Sequence, residues 1–486
     1  MRSLRTHSSG EVPDKDMERR GPVIDNRMEG NVVNQPSKVN KTTSTKLARV
    51  EEKSRENPNE VFTNLGHILS LEFLAECFNS IDGNKAVGID NVTKEVYGKN
   101  LGENLKSLLS KIRDGSYYPK PTRTVEISKN DGTKRPLAIS CIEDKIVQEA
   151  VRRILERIYE PHFLDCSHGF RPNENCHKAL VDLDKNLVKI QTGAVLDVDI
   201  KKCFPSIPYE NLIKILSDKI GDKRFLYLII KLIKCDSLDT QNNIVRNNCG
   251  LPQGSILSPL LMNVYLHECV DKWFMTINAR EFANGCTVVR YADDMVFTAK
   301  SVAEAEQLML ELGRRLGEYG LELHETKTKV IPSGRKVAEN LNKLGKKSPV
   351  FSFLGFMHVW DKSLNRSSNK TFWRVKRRTC PTRFKAKLKE ILENFRKNRH
   401  RKDFFDYAKR IVNGYLEYFA INDNMKRISQ FVNEVKRIMF KWLNRRSQKQ
   451  SLDWERFSKI LERVNFPQPK IRHHLFFNSS AFKQYQ

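Results

Sequence analysis

The chain has 486 residues, with 85 Lys or Arg against 58 Asp or Glu and a formal charge of +27. That length suffices for two to four domains with sizeable cores, which excludes general disorder, and the positive excess predicts attraction to a polyanion, nucleic acid first, through counterion release. No run of about 18 apolar residues occurs and no apolar signal opens the chain, so no membrane partner is expected and a soluble, intracellular protein is.

No aromatic residue or cysteine precedes Phe62, and Ser, Thr, Asn, Glu and Lys dominate up to there. Such a composition buries too little apolar surface to order itself, so residues 1–55 are expected to be a disordered tail. The Arg- and Ser-rich opening is followed at once by Glu11, Asp14, Asp16 and Glu18, unlike an import peptide. Next along the chain, Ser140 followed by Glu143 reads as a capping box. Val147, Val151, Ile154 and Ile158 then recur at helical spacing and predict a helix over about 141–160. Residues 194–200 are rich in strand formers. Leu251-Pro252-Gln253-Gly254 reads as a turn into a helix that Ser258 could cap, with Pro259 at its first position. Residues 287–299 predict two short strands around Ala292-Asp293-Asp294. Ser301 with Glu304 repeats the capping signature before Ala305, Leu308, Leu312 and Leu316, with Gly320 as the stop. Beyond about 365 glycine becomes rare and basic residues alternate with aromatics, which predicts a helical, basic region; a solvated helix face competes with nucleic-acid binding there. The ten cysteines never fall at zinc spacing and read as reduced thiols.

Chemistry concentrates in Asp199, at the end of one predicted strand, and in Asp293 and Asp294, in a predicted hairpin turn. Nucleotidyl transfer needs two divalent ions, one to activate a 3′-hydroxyl and one to neutralise a triphosphate, and hard Mg²⁺ prefers carboxylate oxygens. One carboxylate at a strand end beside two in a neighbouring turn could hold both ions. Alone, an Asp pair in a turn is ordinary turn chemistry.

Order and context add to this. Arg290-Tyr291-Ala292-Asp293-Asp294 resembles the YxDD hallmark of reverse transcriptases, and its Ala form resembles group II intron proteins. The blocks KRPLAIS (134–140), EDKIVQEA (143–150), SHGFRP (167–172), DIKKCF (199–204) and LPQGSILSPLL (251–261) precede it. LELHETKTK (321–329), FLGF (353–356) and WLNRRSQ (442–448) follow. The chain is therefore similar, from about Phe62 to about Ile471, to bacterial group II intron-encoded reverse transcriptase/maturases. It ends soon after Pro467-Gln468-Pro469, where the endonuclease domain of some relatives is expected to be lacking, and no DNA-cleaving metal site is expected.

The resemblance implies an α+β right-hand polymerase: fingers and palm over 56–365, with an antiparallel palm sheet packed by helices, a helical thumb/maturase domain over 366–450, and a basic DNA-binding tail over 451–486. It implies that Asp199, Asp293 and Asp294 are catalytic and hold two Mg²⁺ ions. It implies that Lys129, Arg135, Gln253, Gly254 and Lys327 contact the dNTP, with Phe204 as a gate against a 2′-hydroxyl. Arg171 would lie on the template path, and Arg377, Arg378 and Lys385 would bind RNA. Plain loop charges compete for Lys129, Arg135, Arg171 and Lys327, and a core role competes for Phe204. The implied partners are an RNA template, expected to be group II intron RNA, a DNA target or primer, and dNTPs, in the bacterial cytoplasm; a homodimer stays open. Pro205 and Ser206 depart from the group II pattern toward retron-type enzymes, which leaves the subgroup open. Three functions compete: an intron-encoded reverse transcriptase and maturase, a stand-alone or defence reverse transcriptase, and a binding-only maturase. The intact carboxylates and Gln253-Gly254 count against the last.

Overall fold

A computed structural model describes residues 38–128, 134–239, 241, 243–365, 369–445 and 452–475. Of the expected tail over 1–55, residues 1–37 lie outside the described residues, and the remainder needs correction, because a helix α1 spans Lys38–Glu56. Thr43, Leu47, Val50 and Ser54 fall on one helical face, and Val50 and Ser54 are buried. Ser54 Oγ donates to the Ile158 carbonyl at 2.6 Å, tying α1 to a later helix. Two apolar and two small polar residues make too thin a stripe to stand out in a Lys- and Glu-rich segment, so tertiary contact supplies most of its stability.

Helices α2 (Leu71–Ser80) and α3 (Leu101–Asp114) follow, the first capped by Ser70, which accepts from the Phe73 amide. Strands β1 (Thr122–Ser128) and β2 (Lys134–Ile139) pair antiparallel and, with β4 (Ser237–Leu238) and β5 (Ile244–Val245), form a sheet of order β2-β1-β4-β5. Helix α4 (Ile142–Tyr159) lies where the apolar stripe predicted it, and Val147, Val151, Ile154 and Ile158 are buried. The expected capping box does not form. Cys141 is the N-cap, and Ser140 Oγ instead accepts from Gln148 Nε2 at 3.1 Å.

Helix α5 (Cys176–Val188) leads to β3 (Gly193–Val198), an inner strand of a second sheet. Helices α6 (Tyr209–Ser217), α7 (Lys223–Ile233), α8 (Ser258–Leu266) and α9 (Lys272–Glu281) intervene before β6 (Thr287–Tyr291) and β7 (Asp294–Ala299). Helix α8 starts at Ser258 itself, one residue before the expected position, with Leu257 at its N-cap. Helix α10 (Val302–Glu318) is capped as read: Ser301 Oγ accepts from the Glu304 amide at 3.0 Å, and Gly320 turns the chain at φ +70°. Strand β8 (Lys329–Ser333) completes an all-antiparallel sheet of order β6-β7-β3-β8. Its strands alternate between two cores. Ala194, Leu196 and Val198 join the cluster containing Leu308 and Leu312 of α10, whereas Val195 and Val296 join the cluster containing Leu180 and Leu183 of α5. Both faces of the sheet are thus covered, and only its ends are left for chemistry. The mixture of helix with separate, mainly antiparallel sheets is α+β.

Helix α11 (Arg335–Lys343) precedes a third sheet, β9 (Val350–Phe353), β10 (Phe356–Asn365) and β11 (Lys370–Thr379), in the order β11-β10-β9. The helical character expected from 366 onward therefore begins only at Pro381. In β11 the outward basic residues alternate with inward ones, a period of two that a count of charges alone does not register. Helices α12 (Pro381–Asn398), α13 (Phe404–Phe419), α14 (Met425–Leu443) and α15 (Trp454–Arg463) enclose a third core around Phe395, Phe404, Phe431 and Phe457. Of the region expected to be a basic tail, residues 452–475 are tied in, and the rest lies outside the described residues. Phe457 and Leu461 join that core, and Leu475 is buried against α5 and β11.

Candidate active site

The Asp pair sits where β6 turns into β7. Tyr291 faces Asp294 across the last register pair, leaving Ala292 and Asp293 as a two-residue turn. Ala292 stands at φ +60°, a conformation that costs a residue with a Cβ on the order of 1–3 kcal/mol unless its surroundings impose it. Here they do. A Cβ on Gly169 would stand only 2.3 Å from the Ala292 nitrogen, so glycine lets that loop lie directly on the turn. From within, Arg290 is completely buried, and its guanidinium donates to Asp271 Oδ1 at 2.8 Å, to Asn263 Oδ1 at 2.9 Å and to the Ala292 carbonyl at 3.1 Å. Asn263 in turn donates to the Gly169 carbonyl at 2.6 Å, closing a buried network around the turn. Burial works against ionisation of Asp271, but Arg290 and His267 together outweigh it and hold the carboxyl below its ordinary range.

Asp199 follows the last residue of β3, whose Val198 pairs with Met295 of β7, so it lies at the same end of the sheet as Asp294. Its carbonyl accepts from the His324 amide at 2.8 Å, and its Oδ2 lies 3.4 Å from Lys327 Nζ. Close packing pushes the Asp293 carboxyl up from its usual range. It pushes Asp294 up to about 7, with the negative charge of Asp293 adding to it; although Asp294 presents surface to solvent, it stands in crowded protein surroundings. Asp197 of β3, two residues before Asp199, is pushed up to about 6 by burial and then by Asp199. Among the described residues no three His, Cys, Asp or Glu groups form a ready-made cluster for one metal ion. The donor set nevertheless suits a hard divalent cation: oxygen ligands only, crowded until they repel one another's charge, as a cation would relieve.

The nucleotide candidates approach from β2 and the loop before α8. Arg135 Nε donates to Gln253 Oε1 at 2.6 Å, and the Ala138 amide donates to the Gln253 carbonyl at 2.6 Å. The Arg135 charge favours ionised Asp293, which brings this pair to the carboxylates. Phe204 lies in a helical turn, Cys203–Ser206, after Lys202 at φ +48°. It is 8% exposed, and its carbonyl accepts from the Leu251 amide at 2.7 Å.

Residues 127–358, which contain all of these carboxylates, match the family of "Reverse transcriptase (RNA-dependent DNA polymerase)". The chain is 30% identical over 292 residues to Protein YkfC of Escherichia coli (strain K12), covering 53% of this chain and 76% of that protein. The chain belongs to the reverse transcriptase family. It is also 38% identical over 245 residues to Group II intron-encoded protein LtrA of Lactococcus lactis subsp. cremoris, covering 49% of this chain and 40% of LtrA. It is 28% identical over 214 residues to Nuclear intron maturase 4, mitochondrial, of Arabidopsis thaliana, covering 44% of this chain and 25% of that protein. The chain thus spans less than half the length of these two relatives. The resemblance to group II intron-encoded reverse transcriptases and maturases is borne out.

Several residues of this reverse transcriptase stand elsewhere than expected. Arg171 is spent on protein: it donates to Glu160 at 3.0 Å and to the carbonyls of Leu164 and Ser167, so no free guanidinium faces a template. Arg377 is fully buried and donates to the Leu180 and Leu475 carbonyls, which corrects its expected RNA contact. Arg378 and Lys385 are exposed, although Arg378 pairs with Asp361 at 2.7 Å. The close approach that Gly254 permits, at φ +104°, is to β2: a Cβ there would stand 2.6 Å from the Ala138 carbonyl oxygen, so the room expected for a nucleotide is taken by protein. Lys129 lies outside the described residues. Sequence reasoning missed the network of Arg290, Asp271, Asn263 and Gly169. Arg290 adjoins the Tyr-Ala-Asp-Asp turn and was visible there, but Asp271 and Asn263 carry no local signal, because only the fold brings them under it.

Proposed function

We propose that the chain polymerises DNA on an RNA template and also binds the intron RNA that encodes it, assisting its splicing. The supporting observation is the convergence of Asp199, Asp293 and Asp294 at one end of a sheet covered on both faces, opposite the Arg135–Gln253 pair. In this reading the β1–β2 region is the fingers, the four-stranded sheet the palm, and α12–α14 the thumb. Two Mg²⁺ ions held by Asp199 and Asp293, with Asp294 completing the acidic set, would supply charge neutralisation for attack of a primer 3′-hydroxyl on the α-phosphorus and departure of pyrophosphate. Arg135 and Lys327 supply cations for the triphosphate, Gln253 orients Arg135, and Lys129, six residues before Arg135 in the chain, would add a further cation. The maturase role rests on the intron-encoded relatives and on the excess of basic residues, and its partner is structured RNA.

Asp293→Asn removes charge and keeps shape. Primer extension on an RNA template is expected to fall below a few per cent of the wild-type rate, the order of loss expected when a metal ligand goes, with RNA affinity retained. Extension near the wild-type rate would reject the carboxylate assignment.

Phe204 is the gate in this reading. Its small remaining exposure is consistent with an edge turned to the nucleotide sugar. Phe204→Val is expected to raise ribonucleotide incorporation by about an order of magnitude or more while dNTP use stays measurable. Equal loss of both substrates with a large drop in melting temperature would make it a core residue instead.

A further inference from the structure

After α15 the chain runs beside the end of α13 as a short strap. The Arg472 amide donates to the Ala420 carbonyl at 2.7 Å, the Asn422 amide donates to the His473 carbonyl at 3.3 Å, and the Leu475 amide donates to Asn422 Oδ1 at 2.8 Å. Leu475 is buried in the cluster that contains Leu180 and Leu183 of α5, and its carbonyl accepts from Arg377 of β11. The strap thereby joins α5, β11 and the end of α13. Because α5 also packs on the four-stranded sheet, this join lies between that sheet and the C-terminal helices.

Two imidazoles meet at its centre. The ring of His473 lies on that of His177, the second residue of α5, with centroids 4.2 Å apart and planes tilted by 34°. His177 is buried and its Nε2 donates to the Tyr418 carbonyl at 2.9 Å, so one ring nitrogen already carries its proton. Glu417 of α13 lies 3.6 Å from His473 Nε2 but also accepts from Arg472 of the strap. Arg377, with Asp184 of α5 at 3.7 Å, faces His177 from β11. Arginines therefore flank the rings on both sides, and one of them already claims Glu417. An added proton on either ring sets a cation against the other ring and beside these arginines. Burial, and after it the neighbouring imidazole, hold His177 down to about 4, and burial holds His473 below its ordinary range against the pull of Glu417.

We propose that the stacked His177–His473 pair is an acid-sensitive clasp: the strap closes on α5 while both rings are neutral and opens when they take up protons. In an open strap both rings return to the ordinary imidazole range, about 6.5. The closed form binds protons less readily, so closure is fully favoured above that range and is lost as pH falls from it toward about 4. Opening withdraws Leu475 from its core and takes from Arg377 one of its two carbonyls.

The test is native-state hydrogen exchange of the full chain, read by mass spectrometry at about pH 7.5 and about pH 5.5 and corrected for the intrinsic pH dependence of exchange. Peptides of α15, anchored by Phe457 and Leu461, serve as the internal reference. Relative to them, peptides over 470–475 should lose protection at the lower pH by about tenfold for each imidazole that is protonated on opening. His177→Gln and His473→Gln keep a hydrogen-bond donor and do not titrate. Each alone should leave about half of the effect on a logarithmic scale, and the double variant should show none. Equal protection of the wild-type strap at both pH values overturns the clasp. So does an acid effect that survives the double substitution, which would belong to another group such as Glu417. A second measurement needs no variant: deuterium exchange at the imidazole C2 carbons of the wild-type chain should show both rings titrating below the ordinary imidazole range. Titration of both within or above that range also overturns the clasp.

Discussion

The hairpin that carries the acidic turn and the longer hairpin that follows it each bury one arginine completely, by different means. Arg290 of β6 meets a carboxylate head-on: Asp271 takes two of its donors, Asn263 and the Ala292 carbonyl take a third nitrogen, and no charge is left uncompensated. Arg377 of β11 meets mostly carbonyls. It donates to Leu180 of α5 and to Leu475 near the C-terminal end of the described chain, while Asp184 stays 3.7 Å away. The affinities for protons follow. The charge of Asp271 holds the Arg290 guanidinium above its ordinary range against the cost of burial, whereas burial wins at Arg377 and holds it below. The two sites therefore do different work with one side chain. Arg290 fixes the geometry of the strained turn that carries Asp293; Arg377 pins three distant segments together by satisfying their backbone acceptors. Burial says little about the role of a charged residue until its counter-group is known.

The largest effect that could break this comparison is loss of stability. Asp271→Ala leaves the Arg290 charge buried without its partner and should cost about 3–5 kcal/mol, read as a lower denaturation midpoint, together with loss of extension activity as the turn relaxes. Arg377→Met removes a charge that Asp184 meets only loosely, at 3.7 Å, and leaves two carbonyl acceptors to find water or relax. Its cost should be smaller, about 1–2 kcal/mol, with the acidic turn untouched. Equal costs for the two substitutions would show that the carbonyl cage at Arg377 stabilises its charge as well as Asp271 stabilises that of Arg290.

The comparison also marks what the sequence could show. Local signals with one dominant cause were legible: the stripe of Val147, Val151, Ile154 and Ile158 in α4, the Ser301 cap of α10, and the hairpin around Ala292-Asp293. The carboxylate set was legible because the motif order supplied what spacing alone did not. Failures arose where a side chain's surroundings come from far along the chain. Ser140 carries a capping signature but is drawn away by Gln148, and Gly254 was read for a nucleotide although β2 fills the space beside it. The buried face of helix α1 is set by its packing on α4 and α2, and the carboxylates of Asp271 and Asp361 that claim Arg290 and Arg378 lie 19 and 17 positions away from them. Arg377 was misplaced for another reason: reading the chain beyond about 365 as helix removed the alternation that turns every second residue of β11 inward.

The smallest and most discriminating effect is electrostatic. If the basic face after the long hairpin follows RNA phosphates, each exposed cation released from its counterions adds about one unit to the slope of log affinity against log salt. Lys385 on α12 is exposed and has no ion pair among the described residues, so Lys385→Gln should lower the slope by about one. Arg378 is exposed too, but Asp361 already neutralises part of its charge, so Arg378→Gln should lower the slope by less. Arg377 cannot reach a phosphate unless α5 and the segment ending at Leu475 come apart, so Arg377→Met should leave the slope unchanged even if it lowers stability. Titrations of intron RNA binding over a range of salt would order the three variants. A slope that falls as far for Arg377→Met as for Lys385→Gln would mean that RNA binding opens this core and draws the arginine out, and the contrast with Arg290 would then hold only for the free protein. An unchanged slope for Lys385→Gln would mean that the exposed charges of α12 solvate the helix, and the RNA-binding face would have to be sought on another surface.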